Sequence, residues 1–189
     1  MVIPTLLGYL MLVIFFHTEG RLRRGTEARS FEAGQFDRQT TRFLGIAYFV
    51  SMLALLAAWI LSAFRIGRLS GSVGWLGIVL ALSGLLIRAW ANRVLGAFYT
   101  RTLKVADGQT IVKEGPYRLI RHPGYLGMIL MWVGVSVATG NWIVMLVVIV
   151  VTGAAYYYRI YNEEKMLAST LPGYSEYRSQ TWRLITPIY

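Results

Sequence analysis

The chain has 189 residues, enough for one domain, and 56% of them are hydrophobic, with a mean hydropathy of +0.50. Its formal net charge is +10, but no basic stripe stands apart from the apolar runs, so anionic lipid explains the charge better than nucleic acid does. With no cysteine, disulfides, thiolate metal sites and a cysteine nucleophile are excluded, and two histidines, His17 and His122, are too few for a histidine-rich metal site.

Val2–Phe16 reads as a first membrane helix, about 22 Å long at 1.5 Å per residue, which His17 and Glu19 extend into the interface. It lacks a basic start and a small-residue cleavage site, so it reads as a retained helix rather than a signal peptide. Gly20–Arg42 carries both charge signs and reads as a solvated loop with an interfacial helix. Phe43–Phe64 is long enough to span, since about twenty residues suffice. Val73–Trp90 places Gly74, Gly77, Ala81 and Gly84 along one side, where small residues let helix backbones approach closely in lipid. The glycines at 71, 74 and 77 have the wrong spacing for a dinucleotide fingerprint, and no strand precedes them.

Ala91–Arg121 is a long polar segment with a turn at Asp107-Gly108, and reads as a structured loop. Tyr125–Thr139 and Trp142–Tyr158 are two further apolar helices. Gly140-Asn141 between them is too short for anything but an antiparallel pair. The start of the first therefore lies on the same membrane face as the end of the second. The tail from Leu171 to Tyr189 has the pattern of an amphipathic interfacial segment, serving either as an anchor or as a lid. Seventeen Lys and Arg fall in the 17–42 loop, the 88–121 segment and the tail, against two in the Arg65–Ser72 loop. The basic segments therefore face the cytoplasm, with the N-terminus outside and the C-terminus inside.

The polar residues concentrate in Gly115–Gly127, which holds two arginines, His122, Tyr117, Tyr125, Pro116 and Pro123 at the mouth of a membrane helix. Pro123 suits the first helical turn, where its missing N–H is harmless. Taken alone, such a cluster contacts lipid phosphates, with His122 capping the helix. The hairpin, however, brings it to Arg159 and Glu163, four apart and on one face if the helix continues. Charges kept near hydrocarbon usually line a cavity. The two clusters together form a pocket of both charge signs and several rings, suited to a zwitterionic aromatic cofactor, with tyrosines able to face a cation.

The run Asp107-Gly108-Gln109-Thr110-Ile111-Val112-Lys113-Glu114-Gly115-Pro116-Tyr117, the element Arg121-His122-Pro123-Gly124-Tyr125, and Glu163-Glu164 with Leu167 resemble the isoprenylcysteine carboxyl methyltransferase family, itself similar to membrane phospholipid methyltransferases. The resemblance covers Leu95 to Tyr189. It implies an all-α integral membrane bundle of about five transmembrane helices with a cytoplasmic cofactor-binding loop and a C-terminal interfacial helix. The whole chain, 1–189, would be one domain, with N-terminal helices in 1–94 and the catalytic half in 95–189. It implies S-adenosylmethionine as cofactor, contacted by Gln109, Thr110, Ile111, Val112, Tyr117, His122, Pro123, Gly124, Tyr125 and Glu163. Thr102 falls where some members place a further contact, with a different residue type. It also implies that Arg159 faces the methyl acceptor, so Arg159 and Glu163 are the candidate catalytic residues. Where members often have Phe-Gly-x-x-Tyr-x-x-Tyr, this chain reads Leu171-Pro172-Gly173-Tyr174-Ser175-Glu176-Tyr177, one residue shorter, which bears on the lid.

The reaction implied is methyl transfer to a lipophilic acceptor such as a prenylated cysteine carboxylate. A phospholipid amine or a thiol would be the alternative acceptor. A non-catalytic membrane subunit or small-molecule carrier is the alternative of another class. The sequence does not indicate an oligomeric state, and membrane lipid is the expected surrounding partner.

Overall fold

The computed structural model describes residues 2–22, 34, 36–100, 102–105 and 108–187. Most of the stretch expected to hold an interfacial helix (residues 23–33), Asp107 of the expected turn and the final two tail residues lie outside the described residues.

Five apolar helices form the bundle: α1 (Val2–Leu22), α2 (Thr40–Ala63), α3 (Val73–Leu95), α4 (Pro123–Ala138) and α5 (Trp142–Thr170). A short sixth, α6 (Tyr174–Ser179), follows. Four of the five are long and apolar enough to cross a membrane. The exception, α4, has 16 residues, about 24 Å of helix. Its neighbours are α1, α3 and α5, and most of its side chains are buried. The large exposed side chains of α1, α2, α3 and α5 are overwhelmingly Leu, Ile, Val, Phe and Trp, as a lipid-facing surface requires.

The sequence boundaries shift at the polar ends. α1 runs on to Leu22, α3 to Leu95 rather than Trp90, and α5 to Thr170 rather than Tyr158. At the ends of α1 and α5 the polar residues that continue the helix find partners across the bundle, Glu19 on Arg88 and Glu164 on Arg121. Gly96, at φ 58°, ends α3. Two 3₁₀ turns, Gly96–Phe98 and Gly115–Arg118, lie in the connector after it.

The expected hairpin is present. Gly140 turns at φ 64°, and Asn141 caps α5 by accepting hydrogen bonds from the Ile143 and Val144 amides at 3.0 and 3.3 Å. Its amide also donates to the Ile66 carbonyl at 2.8 Å, tying the 64–72 loop to the turn. Thr5 donates to the Ala138 carbonyl at the same end. One end of the bundle thus gathers residues 4–5, 66–74 and 138–142, and the other the ends of α1, α3 and α5 with the starts of α2 and α4.

The small-residue side of α3 faces α4. A Cβ on Gly84 would lie 2.5 Å from the Gly127 carbonyl oxygen and from the Met131 nitrogen; one on Gly127 would lie 2.6 Å from the Gly84 oxygen. The two backbones are in direct contact there, the close approach that stabilises helix pairs where lipid removes the hydrophobic driving force. Gly84→Leu is therefore expected to destabilise the detergent-solubilised protein by about 3 kcal/mol or more, beyond ordinary overpacking because backbone must move. Gly153→Ala on α5, where an added Cβ meets nothing within 4 Å, is expected to be neutral or slightly stabilising; thermal melts of the two variants check the contrast.

Candidate functional site

The polar end of the bundle encloses a cavity of about 470 Å³, within the roughly 300–1,000 Å³ typical of small-molecule sites. Thr102, Gln109, Thr110, Ile111, Val112, Tyr117, His122, Gly124, Tyr125, Arg159 and Glu163 all line it. Pro123 does not. It is buried at the first turn of α4, where its fixed φ starts the helix and aims Gly124 and Tyr125 at the cavity.

Tyr125 is the centre of the wall. Its hydroxyl donates to Glu163 Oε2 at 2.5 Å and accepts from Arg159 Nε at 2.9 Å. The two charges one turn apart on α5 are thus bridged by a phenol from α4, the juxtaposition the hairpin makes possible. The Arg159 guanidinium also lies over the Tyr125 ring, 5.8 Å from its centroid, and the His122 ring stacks on Tyr125 at 5.5 Å and 9°. Arg159 is only 3% exposed. Its Nη1 donates to the Thr40 and Thr41 hydroxyls at 3.2 Å each and lies 3.8 Å from Asp37 Oδ1. Asp37 accepts from both of those hydroxyls and from the Leu103 amide, so it joins the start of α2 to the loop after α3.

A second buried pair escaped the sequence reading. Arg88 on α3 binds Glu19 of α1 through Nε at 3.2 Å and Nη2 at 2.6 Å. Its Nη1 donates to the Gly124 carbonyl at 3.0 Å, and Tyr99 bonds both Arg88 and Glu19. The available signal was an arginine inside an apolar run, which lipid does not tolerate unpaired. Further missed wall residues are Phe16, Leu44 and Tyr48, from helices read as generic spans, and Thr41 and Asn92, from segments read as polar loops.

Glu164, which the sequence reading gave no site role, anchors the corner. It is buried, and accepts from Arg121 Nε and Arg183 Nε at 2.8 Å each. His122 Nε2 lies 3.4 Å from the same carboxylate, too poorly aligned for a hydrogen bond. His122 occupies the cap position of α4 without a capping bond from its side chain, so the simple capping role does not hold. The tail is strapped to this corner: the Arg121 and His122 amides donate to the Trp182 and Arg183 carbonyls, and Trp182 N–H donates to the Leu119 carbonyl. Tyr174 and Tyr177 of α6 line the cavity, and the Tyr177 hydroxyl donates to the Tyr117 carbonyl at 2.7 Å. The segment is thus a wall of the site and not merely an anchor. Burial pushes the phenols of Tyr117, Tyr174 and Tyr177 up, the last to about 12, so all three are neutral at pH 7.

Among the described residues, six buried side-chain polar atoms have no partner, on Ser51, Asn92, His122, Trp132 and Tyr174. Three of those five residues line the cavity, which marks it as built to receive a polar molecule. No cluster of three His, Asp or Glu side chains among the described residues could hold a metal ion.

The model of the isoprenylcysteine carboxyl methyltransferase family matches residues 75–169. An uncharacterized protein of Bacillus subtilis is 28% identical over 121 residues, 64% of this chain and 72% of its own length. The protein-S-isoprenylcysteine O-methyltransferase of Dictyostelium discoideum is 25% identical over 141 residues, 73% of this chain and 60% of its own. Protein-S-isoprenylcysteine O-methyltransferase A of Arabidopsis thaliana is 28% identical over 160 residues, 84% and 80% of the two chains. A solved structure of a eukaryotic intramembrane Ras methyltransferase superposes with a TM-score of 0.63 at 22% identity, over 77% of this chain and 52% of that one, a likeness of fold. The chain therefore spans about half to four-fifths of the length of these relatives.

Two outcomes follow from the corner. Glu164→Ala leaves Arg121 buried without its carboxylate and is expected to cost about 3 kcal/mol or more, with the tail becoming protease-sensitive before the bundle does. The raised Tyr177 pKa means that an unfolded chain, titrating near 10, releases that proton first. Its contribution to stability is complete below about pH 10 and declines from there toward 12; Tyr177→Phe should flatten the alkaline limb of melting temperature against pH.

Proposed function

This chain belongs to the isoprenylcysteine carboxyl methyltransferase family, and from that premise we propose that it is an S-adenosylmethionine-dependent methyltransferase acting on a lipophilic acceptor, with the carboxylate of an isoprenylcysteine-like molecule as the best-suited acceptor. The observation that carries this is the Arg159–Tyr125–Glu163 bridge on the wall of a cavity of ligand size.

The donor set fits the cofactor. Glu163 is an acceptor for an ammonium or for ribose hydroxyls, and Tyr117, Tyr125 and Tyr174 supply rings for a base or a sulfonium. Gln109–Val112, His122 and Gly124 complete the holding residues, with Thr102 beside them and Pro123 acting only by placing the corner. Bound there, the cofactor supplies a methyl group already activated on a sulfonium.

The protein's part is alignment and exclusion of water. Arg159 presents a desolvated positive charge held rigid by Tyr125, Thr40 and Thr41, which orients an acceptor carboxylate. That carboxylate is ionised at pH 7, so no general base is needed. The buried walls from α3, α4 and α6 keep water from competing. An apolar acceptor tail has a route from the bilayer where Phe16 of α1 and Leu44 and Gly45 of α2 meet the cavity, since Phe16 and Gly45 are also exposed at the bundle surface and nothing crowds the Gly45 Cα. The basic segments put the cofactor's entrance on the cytoplasmic side, with the N-terminus outside.

The test uses the purified full chain in lipid nanodiscs with radiolabelled S-adenosylmethionine and a farnesylated cysteine. Label is expected in a base-labile ester, and Arg159→Ala should lower kcat/KM about 10- to 100-fold, the worth of a charge-assisted hydrogen bond. Glu163→Gln should instead weaken S-adenosylhomocysteine binding by about tenfold. Wild-type turnover by Arg159→Ala, or label appearing in phospholipid amines rather than the ester, would sink the carboxylate assignment.

A further inference from the structure

Asn92 sits one turn beyond Arg88 on the interior side of α3 and is 5% exposed. Neither its Nδ2 nor its Oδ1 has a hydrogen-bond partner, and the residue lines the cavity. A primary amide buried without partners destabilises a fold, and a leucine there would serve the helix better. The neighbouring Arg88 does not satisfy it, because the Arg88 donors go to Glu19, Tyr99 and the Gly124 carbonyl. Gly124, which also lines the cavity, lies beside it: a Cβ at that position would stand 3.8 Å from Asn92 Oδ1.

The chemistry of the surroundings narrows the ligand group. Along the last turn of α3 and the turn that follows, the wall is Asn92, Leu95, Phe98 and Tyr99, with no charge uncommitted. The zwitterionic end of an amino acid would find no counter-charge there, whereas the Arg159–Glu163 pair lies elsewhere on the wall. A carboxamide offers one acceptor beside one donor in a plane. The group that complements it in kind is a flat, neutral ring with an amino donor next to a ring-nitrogen acceptor, the edge that asparagine reads on adenine.

We propose that Asn92 is a specificity-determining contact to the adenine ring of the cofactor, its Oδ1 accepting from the 6-amino group and its Nδ2 donating to an adjacent ring nitrogen. This rests on the reading of the cavity as an S-adenosylmethionine site and assigns one end of it: the base toward α3 and the methionyl end toward Tyr125 and Glu163.

Calorimetry on the full chain in nanodiscs tests it with two probes, S-adenosylhomocysteine and its analogue lacking the 6-amino group. Wild type should bind the analogue about tenfold more weakly. Asn92→Leu should bind S-adenosylhomocysteine about tenfold or more weakly than wild type and no longer distinguish the two probes, the signature of a coupled pair. Without ligand, Asn92→Leu should melt at or above the wild-type temperature, because an unpartnered polar group has been removed; Asn92→Ala provides the same binding comparison if leucine does not fit. Unchanged affinity in either variant, an undiminished discrimination between probes, or a lowered ligand-free melting temperature in both variants would overturn the assignment. Wild type failing to bind S-adenosylhomocysteine at all would instead overturn the cofactor reading beneath it.

Discussion

A charge held at the edge of a lipid-embedded bundle must find its counterpart inside the protein, and three buried arginines meet that requirement here. Arg88 joins α1, α3 and the first turn of α4 through Glu19, Tyr99 and the Gly124 carbonyl. Arg159 joins α5 to α4 and to the start of α2 through Tyr125, Thr40 and Thr41. Arg121 joins the corner before α4 to α5 and the tail through Glu164 and the Arg178 carbonyl. An arginine at the centre of a span costs roughly 2.5–3.5 kcal/mol on insertion scales. Each of these is offset by a pairing that spans separate elements, so the same bonds that make the charges tolerable assemble the cavity.

Packing and chemistry are coupled along the α3–α4 seam. A Cβ on Gly127 would lie 2.7 Å from the Arg88 backbone nitrogen. Because that side chain is absent, α3 lies close enough for the Arg88 guanidinium to reach the Gly124 carbonyl one turn away. The glycines therefore do more than bring two spans together. They set the distance at which the His122–Tyr125 corner is gripped, and with it the placing of Tyr125 between Arg159 and Glu163. An aromatic column extends the grip into the bundle: Tyr125 packs on Tyr156, whose hydroxyl bonds Tyr48, and Tyr48 stacks on Trp132 at 5.1 Å and 17°.

Much of this was legible in the residues. Five apolar runs, a two-residue turn and a small-residue side are local patterns, and local patterns survive folding when lipid forces every backbone group into helix. The pairing of the His122 corner with Arg159 and Glu163 followed from turn length alone. Less legible was the manner of pairing. The spacing put Arg159 and Glu163 on one face of α5, but a phenol from another helix stands between them, and nothing in the spacing of 159 and 163 names Tyr125 as the bridge. Glu19 read as the interfacial end of the first helix and Asp37 fell in a segment read as a solvated loop, because charge clusters usually are solvated; both are buried, on partners 69 and 66 residues away in Arg88 and Leu103. The end of α5 was read short for the same reason, since a polar residue looks like the end of a span until its partner is known.

By itself the amino-acid order determined the number of apolar helices, their antiparallel course and the gathering of its polar residues at one end, because run length, turn length and the intolerance of hydrocarbon for charge act on neighbours in the chain. Only the tertiary structure decided which carboxylate each arginine meets, that α1, α2 and α3 contribute walls to the cavity, that the tail is strapped over the His122 corner, and that Asn92 faces the cavity unpartnered. Those are contacts between residues distant in sequence, set by the depth at which two glycine-bearing helices lock together, and no periodicity in the chain records that depth.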